Sequence, residues 1–405
     1  MNEILPPHDH RRLGRELDLF FLPERAPGQV FWKPRGMIVW RELERMLEAE
    51  LAAHGYEQVS SPLLWSQDLW RQSGHAAKFH DDMVHADVDG RAMSLKPMSC
   101  PGHCQLYLER PRSYRELPMR LSEFGLCHRA ERSGSLHGLL RVRGFVQDDA
   151  HIFCADEQVA DEVEDCARLA LAVYRRFGLE PEIELSLRPD LRFGDDAMWD
   201  ADEAALRAAL QRVGRAYREM PGEGAFYGPK IDFKFVDRLG RRWQLGTVQL
   251  DHVLPSAERF DLRHVAASGA ERPVVMIHRA LFGSFERFIA MLLEHSEGWL
   301  PLWLAPVQAV VLPVGDAHAG WAARVQEQLS AAGVRCSLWA GDSLGARIRR
   351  ARLERVPYLL VCGEKEVAGG SVALRPSRAR HVESVPLADA AERLQAEAMA
   401  GRAAA

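Results

Sequence analysis

Two pairs of strand-like segments, each pair consecutive along the chain, constrain the fold more than any other feature. Residues 117–129 (LPMRLSEFGLCHR) lead into a strand, the turn-rich SGSLHG follows at 133–138, and residues 139–154 return as a second strand. Residues 231–252 (IDFKFVDRLGRRWQLGTVQLDH) have the same character. Consecutive strands joined by a turn-rich loop usually pair as an antiparallel hairpin. The chain is therefore predicted to build an antiparallel sheet.

Long helices accompany these hairpins. Apolar residues recur at helical spacing over 36–54 and 283–297, and 156–177 is predicted to be helical as well. The segment EQVSSPLL (57–64) is predicted to be a strand, and its Pro62 favours an edge or an interface. Antiparallel hairpins with long helices predict an α+β domain over roughly the first 300 residues.

The pattern changes after the Pro/Trp-rich junction WLPLWLAP at 299–306. From there strand-like and helix-like segments alternate, which predicts a small α/β domain with a mainly parallel sheet. We therefore predict two domains, residues 1–303 and 304–405. The predicted strands of the second are 307–314, 334–339, 358–362 and 371–375, and its predicted helices are 320–332, 343–356 and 387–399.

Composition excludes several classes of protein. The seven cysteines form no CxxC pair and suggest no disulfide framework, which favours a reduced, cytoplasmic protein. The N-terminus lacks the apolar core of a signal peptide, and no run of about 18 apolar residues predicts a membrane span. The net charge of −5 means that any RNA contact must come from a local patch. The arginines at 347, 349, 350, 352 and 355 form such a patch, although a charge run is more often a solvated face.

Three residues lie within runs rich in potentially catalytic side chains. Cys100 lies in KPMSCPGH (96–103), His151 in RGFVQDDAHIF (143–153) and His278 in VVMIHRALFGSFERF (274–288). One cysteine and two histidines can hold Zn²⁺ and leave a coordination position open for a substrate. Their separations, 50 and 126 intervening residues, carry no motif information, and isolated Cys or His residues are more often structural.

Charged residues in the same region favour a nucleotide. Arg129 and Glu131 flank Ala130 at a predicted strand end, and Arg287 lies on the helix that begins near Ser284. An arginine can grip a phosphate with two donors, and a carboxylate can accept from an adenine amino group. Each taken alone is more readily explained as a surface residue.

Taken together, the long motifs around these residues favour functional roles over structural or surface ones. The sequence resembles the threonyl-tRNA synthetases, a family of class II aminoacyl-tRNA synthetases, over nearly its whole length. The resemblance implies an α+β catalytic domain followed by a small anticodon-binding domain. It also implies ATP-dependent activation of L-threonine, with Mg²⁺, and transfer to tRNA-Thr. The motifs are DHRRLGRELDLF (9–20), APGQVFW (26–32), KPMSCPGH, 120–153, GAFYGPKIDF (224–233), WQLGTVQLD (243–251), HRALFGSFERF and RVPYLLVCGEKEV (355–367).

The resemblance also implies roles for individual residues. Zinc would be held by Cys100, His151 and His278, and catalysis would depend on Arg129, Lys230 and Arg287. The segment around Pro62 would form a homodimer interface. ATP would be bound by Arg129, Glu131, Arg141, Phe145, Gln244 and Arg287, the amino acid by Met98, Gln147, Asp149, Tyr227, Gln249 and Ser284, and the anticodon by Arg349, Glu366 and Arg375.

The sequence departs from the family pattern in three places. It begins almost at the catalytic core, so we expect no N-terminal domain for hydrolysis of mischarged Ser-tRNA. Gly341 occupies an anticodon-reading position where the family usually has asparagine, and glycine cannot supply that base-edge contact. Ala130 replaces an asparagine with little expected effect.

Two other functions remain open from the sequence. One is activation of a threonine-like amino acid for a different acceptor, such as a carrier protein or a biosynthetic intermediate. Gly341 and the short N-terminus favour it, and the basic C-terminal domain argues against it. The other is a non-catalytic RNA-binding paralogue. The retained Arg129, Arg287 and zinc triad argue against the second, since an inactive protein has no need of them.

Overall fold

A computed structural model describes residues 5–238 and 240–401. Within these residues, contacts divide the chain into two compact units. The first unit comprises residues 22–30 and 51–291, and the second comprises the described parts of 1–21, 31–50 and 292–404. The domain boundary at residues 303 and 304 stays a prediction.

Helices occur in both units, and none of the described ones is long and apolar enough to cross a membrane. Those described are labelled α1 to α12 in chain order. Their bounds are His10–Glu16, Pro34–Ala53, Gln67–Gln72, His75–Phe79, Cys100–Leu108, Val159–Arg176, Asp196–Val213, Phe285–Ser296, Ala319–Ala331, Leu344–Leu353, Glu364–Gly369 and Leu387–Ala400.

The described strands are labelled β1 to β21 in the same way. Their bounds are Phe20–Phe21, Phe31–Trp32, Glu57–Gln58, Leu64–Ser66, His85–Val88, Arg91–Leu95, Arg112–Ser113, Met119–His128, Gly144–Cys154, Glu182–Ser186, Tyr217–Met220, Lys230–Val236, Arg242–Asp251, Arg263–Val265, Glu271–Pro273, Val275–Ala280, Ala309–Pro313, Cys336–Leu338, Tyr358–Cys362, Ser371–Pro376 and Glu383–Pro386.

An eight-stranded sheet forms the centre of the first unit, in the order β11-β10-β12-β13-β16-β9-β8-β3. The five strands from β10 to β9 pair antiparallel, and β9 pairs antiparallel with β8. Both hairpins predicted from the sequence are present, as β8–β9 and β12–β13. The predicted α+β class is confirmed.

Helix α6 covers one face of this sheet. Tyr174 on α6 is fully buried, donates its hydroxyl to the carbonyl of Leu281 at 2.5 Å, and contacts the rings of Phe233 and Phe235. Strand residues alternate between the two faces of a sheet, so Lys230 and Asp232 on the same strand point to the opposite side. One face is thus filled with apolar side chains and the other is free for polar ones.

The predicted strand over 57–64 is wrong in its middle. Only Glu57–Gln58 and Leu64–Ser66 form strands, and they belong to different sheets. Pro62 lies between them, outside both. A proline has no N–H to donate to a ladder, so the chain leaves one sheet before this residue and joins the other after it.

The second unit contains a five-stranded sheet in the order β18-β17-β19-β20-β21. Strand β17 pairs parallel with β18 and β19, whereas β20 pairs antiparallel with both its neighbours. The sheet is therefore mixed rather than mainly parallel. The reason is a hairpin: β20 is followed closely by β21, a strand that the sequence pattern did not reveal. The α/β class of this part is confirmed.

Ion pairs within the second unit join its N-terminal helices to its later residues. From α2, Glu42 lies 3.1 Å from Arg335 and Arg35 lies 3.0 Å from Glu354, and from α1, Glu16 lies 3.2 Å from Arg355. These long-range contacts explain why residues from α1 and α2 group with the C-terminal part, which local sequence patterns could not have indicated.

Gly246 lies at a close contact between β13 and α6. A Cβ there would collide with the Tyr174 hydroxyl and lie 2.6 Å from the carbonyl oxygen of Ala280. We expect Gly246→Ala to destabilise the protein by about 1–3 kcal/mol, because overpacking a close-packed core forces its neighbours to shift. Thermal unfolding of this variant should be compared with Gly134→Ala, where a Cβ meets no described atom within 4 Å. Equal melting temperatures for the two variants would contradict the expectation.

Candidate active site

A row of cross-strand neighbours lines the polar face of the eight-stranded sheet. His278 on β16 lies opposite His151 on β9 and opposite Gln249 on β13. Gln249 in turn lies opposite Lys230 on β12. Directly opposed residues place their side chains on the same face, so the register itself gathers these groups.

These side chains surround a cavity of about 380 Å³. Every residue that the sequence predicted for zinc, ATP or the amino acid lies at its wall. The structure thus brings together Met98, Cys100, Arg129, Glu131, Arg141, Phe145, Gln147, Asp149, His151, Tyr227, Lys230, Gln244, Gln249, His278, Ser284 and Arg287.

Cys100, His151 and His278 form a compact buried cluster at the cavity wall. Their ligand atoms all lie within 4.8 Å of one another, and His151 Nε2 lies 3.0 Å from His278 Nδ1. Burial raises the pKa of the Cys100 thiol well above its ordinary value and lowers the pKa of His151 well below its own. Neutral imidazoles are the form that binds metals, and a bound cation would favour the thiolate.

Other polar residues surround this cluster. His278 Nε2 lies 2.8 Å from Asp251 Oδ2, and His151 Nδ1 lies 2.8 Å from His103 Nδ1. His75 Nε2 lies 3.7 Å from Cys100 Sγ, and burial lowers the pKa of His75 to about 3. None of these three residues had been singled out from the sequence.

Two amides beside the cluster have buried atoms with no hydrogen-bond partner among the described residues: Oε1 of Gln147 and Nε2 of Gln249. The other end of Gln249 accepts from the Tyr227 hydroxyl at 3.3 Å. Burying an unpaired polar atom costs about 1–3 kcal/mol, so such atoms indicate where a ligand would bind. Gln147 Oε1 offers an acceptor and Gln249 Nε2 offers a donor to a small polar molecule. Asp149, whose pKa is raised by burial, accepts from the backbone N–H of Ser99 at 3.2 Å nearby.

Three arginines line the other part of the cavity. Arg287 is fixed by two carbonyls, with its Nε 3.0 Å from Leu140 O and its Nη1 2.9 Å from Gln244 O. Burial, together with the positive charges of Arg129 and Arg141, lowers the pKa of Arg287 to about 10. Like charges held together in this way are stabilised by an anionic ligand such as a phosphate chain.

Aromatic and acidic groups complete this region. The guanidinium of Arg129 lies 5.1 Å from the centre of the Phe145 ring, a cation–π contact. Glu131 pairs with Arg141 at 2.9 Å, so these two predicted ATP residues contact each other. Ser284 at the start of α8 accepts from the backbone N–H of Arg287 at 3.1 Å.

Lys230 is held by an acidic neighbour. Its ammonium pairs with the carboxylate of Asp232, whose other oxygen accepts from Gln244 Nε2 at 2.7 Å. Asp232 is fully buried and contacts two of the predicted residues, yet it was not among the residues predicted from the sequence. Its place two residues after Lys230 on the same strand, and hence on the same face, is the signal that could have found it.

The predicted anticodon residues lie in the second unit. Arg349 is exposed on α10, Glu366 lies on α11 and accepts from the Gly363 N–H at 2.9 Å, and Arg375 lies on β20. Gly341 has a φ of +95°, and no described atom would lie within 4 Å of a Cβ at this position. The loop is therefore open at the position where the family pattern has a longer side chain.

Comparisons with known proteins show which family the chain resembles. The family described as "tRNA synthetase class II core domain (G, H, P, S and T)" matches residues 83–296, and "Anticodon binding domain" matches residues 308–397. The crystal structure of the RNA binding domain of threonyl-tRNA synthetase from Cryptosporidium parvum has a TM-score of 0.91 and 39% identity. The alignment covers 96% of this chain and 98% of that one. The chain belongs to the threonyl-tRNA synthetase family.

Two curated relatives in this family are longer than this chain. The threonine–tRNA ligase of Ralstonia nicotianae is 47% identical over 98% of this chain, but the match covers 62% of that protein. For the threonine–tRNA ligase of Methylococcus capsulatus the corresponding values are 47%, 96% and 61%. The chain thus spans about three fifths of the length of these relatives.

Proposed function

We propose that this chain activates L-threonine with ATP and transfers it to tRNA-Thr. The observation that carries the proposal is the juxtaposition, in one cavity, of a Cys-His-His cluster and a cluster of three arginines. The first suits a small polar ligand and the second suits a polyphosphate. Membership in the threonyl-tRNA synthetase family supports the same reaction.

Zinc fits the cluster of Cys100, His151 and His278. The donor set is one thiol and two imidazoles, which is typical of zinc sites with three protein ligands. Asp251 accepts from His278 Nε2, so the Nδ1 atom that faces His151 carries a lone pair. A cation held between the two histidines would be stabilised by this lone pair. Zinc bound here would supply Lewis-acid chemistry with room for ligands beyond the three protein groups, and the amino and hydroxyl groups of threonine could both coordinate it.

The protein's own groups would bind the rest of the amino acid. Gln147 Oε1 can accept a hydrogen bond and Gln249 Nε2 can donate one, and both atoms are buried at the cavity wall. The carboxylate of Asp149 can attract the ammonium group of an amino acid, and its Oδ1 lies 3.7 Å from Nε2 of the proposed zinc ligand His151. Met98, Tyr227 and Ser284 complete the wall around this part of the cavity.

The chemical step needs positioning and charge neutralisation rather than a protein nucleophile. A carboxylate oxygen of threonine attacks the α-phosphorus of ATP, and the bond from that phosphorus to pyrophosphate breaks. Arg129 and Arg287, with Lys230 and Mg²⁺, would neutralise the charge that develops on the phosphates. Phe145 would stack on the adenine, Glu131 would accept from its amino group, and Arg141 would reach the triphosphate. Gln244 would help to hold the nucleotide.

Transfer to RNA would involve the second unit. Arg349, Glu366 and Arg375 would contact the anticodon, as the family resemblance suggests. We also propose a homodimer that associates through the segment around Pro62, and a cytoplasmic location. Light scattering of the purified chain checks the first of these two.

Threonine-dependent exchange of pyrophosphate into ATP tests the activation step. The purified chain should catalyse exchange with threonine, and the rate should fall to background without an amino acid. Exchange supported by none of the standard amino acids would contradict the proposal and would favour a non-catalytic protein.

A second candidate acceptor is favoured by one observation. Gly341 leaves the loop before α10 without a side chain at a position that normally reads the anticodon. An enzyme that loads a carrier protein or a biosynthetic intermediate would have no need of that contact. Charging of a tRNA-Thr transcript separates the two, because only the first candidate acylates it.

The proposed site predicts how amino acids are discriminated. Serine keeps the hydroxyl and lacks one methyl, so we expect its activation to be only about 10–200-fold less efficient than that of threonine. Valine lacks the hydroxyl and should be rejected by about 10⁴-fold or more, because the polar group that receives the hydroxyl is left unmatched. The ratio kcat/KM in pyrophosphate exchange measures both. Rejection of serine far beyond a few-hundred-fold at the activation step would contradict the expectation.

A further inference from the structure

We propose that Glu123 and His103 are positioning residues for the metal site, forming a buried hydrogen-bond relay that fixes the orientation and tautomer of His151. The inference rests on the proposed zinc site. Both residues lie within runs resembling the family, but neither has been given a role so far. Together they form a continuous path of buried polar contacts that ends at His151.

The relay begins at a buried ion pair. Lys96 Nζ lies 2.7 Å from Glu123 Oε1, and both side chains are at most 5% exposed. Lys96 also donates to Ser61 Oγ at 2.8 Å, and the backbone N–H of Ser61 donates to Glu123 Oε1 at 2.9 Å. These contacts hold the carboxylate charged and fixed. Its other oxygen, Oε2, lies 3.2 Å from Nε2 of the fully buried His103.

The path continues from His103 to the metal cluster. His103 Nδ1 lies 2.8 Å from His151 Nδ1, and the two rings are nearly perpendicular at 84°. His151 Nε2, on the far side of its ring, lies 3.0 Å from His278 Nδ1. Three different elements supply these groups, since His103 lies on α5, Glu123 on β8 and His151 on β9.

The chemistry of the partners fixes the direction of each hydrogen bond. A charged carboxylate accepts only, so His103 Nε2 must donate to Glu123. A neutral His103 then has a lone pair on Nδ1, which accepts from His151 Nδ1–H. His151 is left with its lone pair on Nε2, the atom that faces the cluster. The tautomer of His151 needed for metal binding is therefore set by Glu123, which acts through His103 and does not itself contact the metal cluster.

The second histidine has a shorter arm of the same kind. Asp251 Oδ2 accepts from His278 Nε2, and Asp251 Oδ1 accepts from the backbone N–H groups of Val253 and Leu254 at 2.7 and 2.9 Å. Both arms direct a lone pair at the same point. A general role in folding gives no reason for both histidines to be oriented in this way, whereas a metal site requires it.

Glu123→Gln breaks the relay with little change in shape. The single amide oxygen cannot accept from both Lys96 and His103, so one donor faces an NH₂ group. Loss of such outer partners typically weakens metal binding about 10–100-fold, and we expect a loss of that size in zinc affinity. Affinity is measured by competition with a chromophoric chelator, and it does not depend on catalytic activity.

Glu162→Gln is the matched control. Glu162 is also 5% exposed and also pairs with a cation, accepting from Arg120 at 2.5 and 2.8 Å. Arg120 lies on β8 but alternates to the opposite face from Glu123. The control should keep the zinc affinity of the parent chain within about twofold, because it perturbs no outer partner of the metal ligands.

His103→Asn provides a second variant that leaves the Lys96–Glu123 pair in place, so it serves if Glu123→Gln does not fold. In cobalt-substituted protein, both relay variants should shift the visible ligand-field bands, and the control should not. Unchanged affinity in both relay variants would overturn the inference, as would an equal loss in the Glu162 control. A parent chain that binds no zinc would instead overturn the proposed metal site itself, so the two failures are distinguishable.

Discussion

Replacing Arg287 with alanine is expected to lower threonine-dependent pyrophosphate exchange by about 10³-fold, a loss typical of removing a preorganised cation from a phosphoryl-transfer site. Arg287 is held by the carbonyls of Leu140 and Gln244, and its pKa is lowered by burial and by Arg129 and Arg141. Its orientation and charge are thus prepared before ATP binds. The effect should appear mainly in kcat, because the charge that it neutralises develops in the transition state.

A surface arginine provides the control for this experiment. Arg175 is exposed on α6, and Arg175→Ala should leave exchange unchanged. Arg287→Lys keeps a charge but loses the planar fork that binds two carbonyls, so it should recover little activity. A less than tenfold loss in Arg287→Ala would show that the three-arginine cluster does not bind the reacting phosphates.

The second large effect is expected at the metal cluster. His278→Ala should remove the bound zinc and lower kcat/KM for threonine until threonine and valine are activated about equally, a collapse of about 10⁴-fold in their ratio. The physical reason is that, without the metal, the hydroxyl of threonine has lost the group that recognises it. Metal analysis of the dialysed protein and pyrophosphate exchange with both amino acids measure the two consequences.

His54→Ala is the corresponding control, since His54 is exposed and lies outside the cavity. It should retain zinc and the preference for threonine. If His278→Ala retained its zinc and still rejected valine, recognition of the hydroxyl would have to come from another group, and the Cys-His-His assignment would be wrong.

Local patterns were sufficient to predict much of the fold. The hairpins β8–β9 and β12–β13 and the helices α2, α6 and α8 were all expected from alternation, turn residues and helical spacing. The errors have physical causes. Pro62 interrupts the strand that apolar residues around it suggested, and β21 is a short strand with few apolar side chains. The grouping of α1 and α2 with the C-terminal residues involves contacts distant in sequence, such as the Glu42–Arg335 ion pair, which spans nearly 300 positions.

The predicted site residues came from the resemblance rather than from spacing. Cys100, His151 and His278 are far apart in the sequence, and only the register of β9 and β16 places the two histidines opposite each other. Residues that act through another residue were missed. His103 lies three residues after Cys100, and Glu123 lies on β8, the strand beside β9. Their proposed role depends on which ring nitrogen of each histidine faces which partner atom. No one-dimensional pattern contains that information.

The relay and the arginine cluster give the site two independently fixed halves. One half would orient lone pairs toward the proposed metal, and the other holds like charges that a polyphosphate would neutralise. The proposed reaction needs both at once, because the amino acid and ATP must meet with their reacting atoms in contact. Variants of Glu123 should therefore affect amino acid recognition more than ATP binding, and variants of Arg287 the reverse.

A single-turnover assay with labelled threonine, ATP and a tRNA-Thr transcript tests the central claim most directly. If the account is right, AMP and threonyl-tRNA appear together in amounts that approach the concentration of active sites, and omission of threonine abolishes both. Formation of AMP with the tRNA left uncharged would contradict it and favour a different acceptor for the activated amino acid.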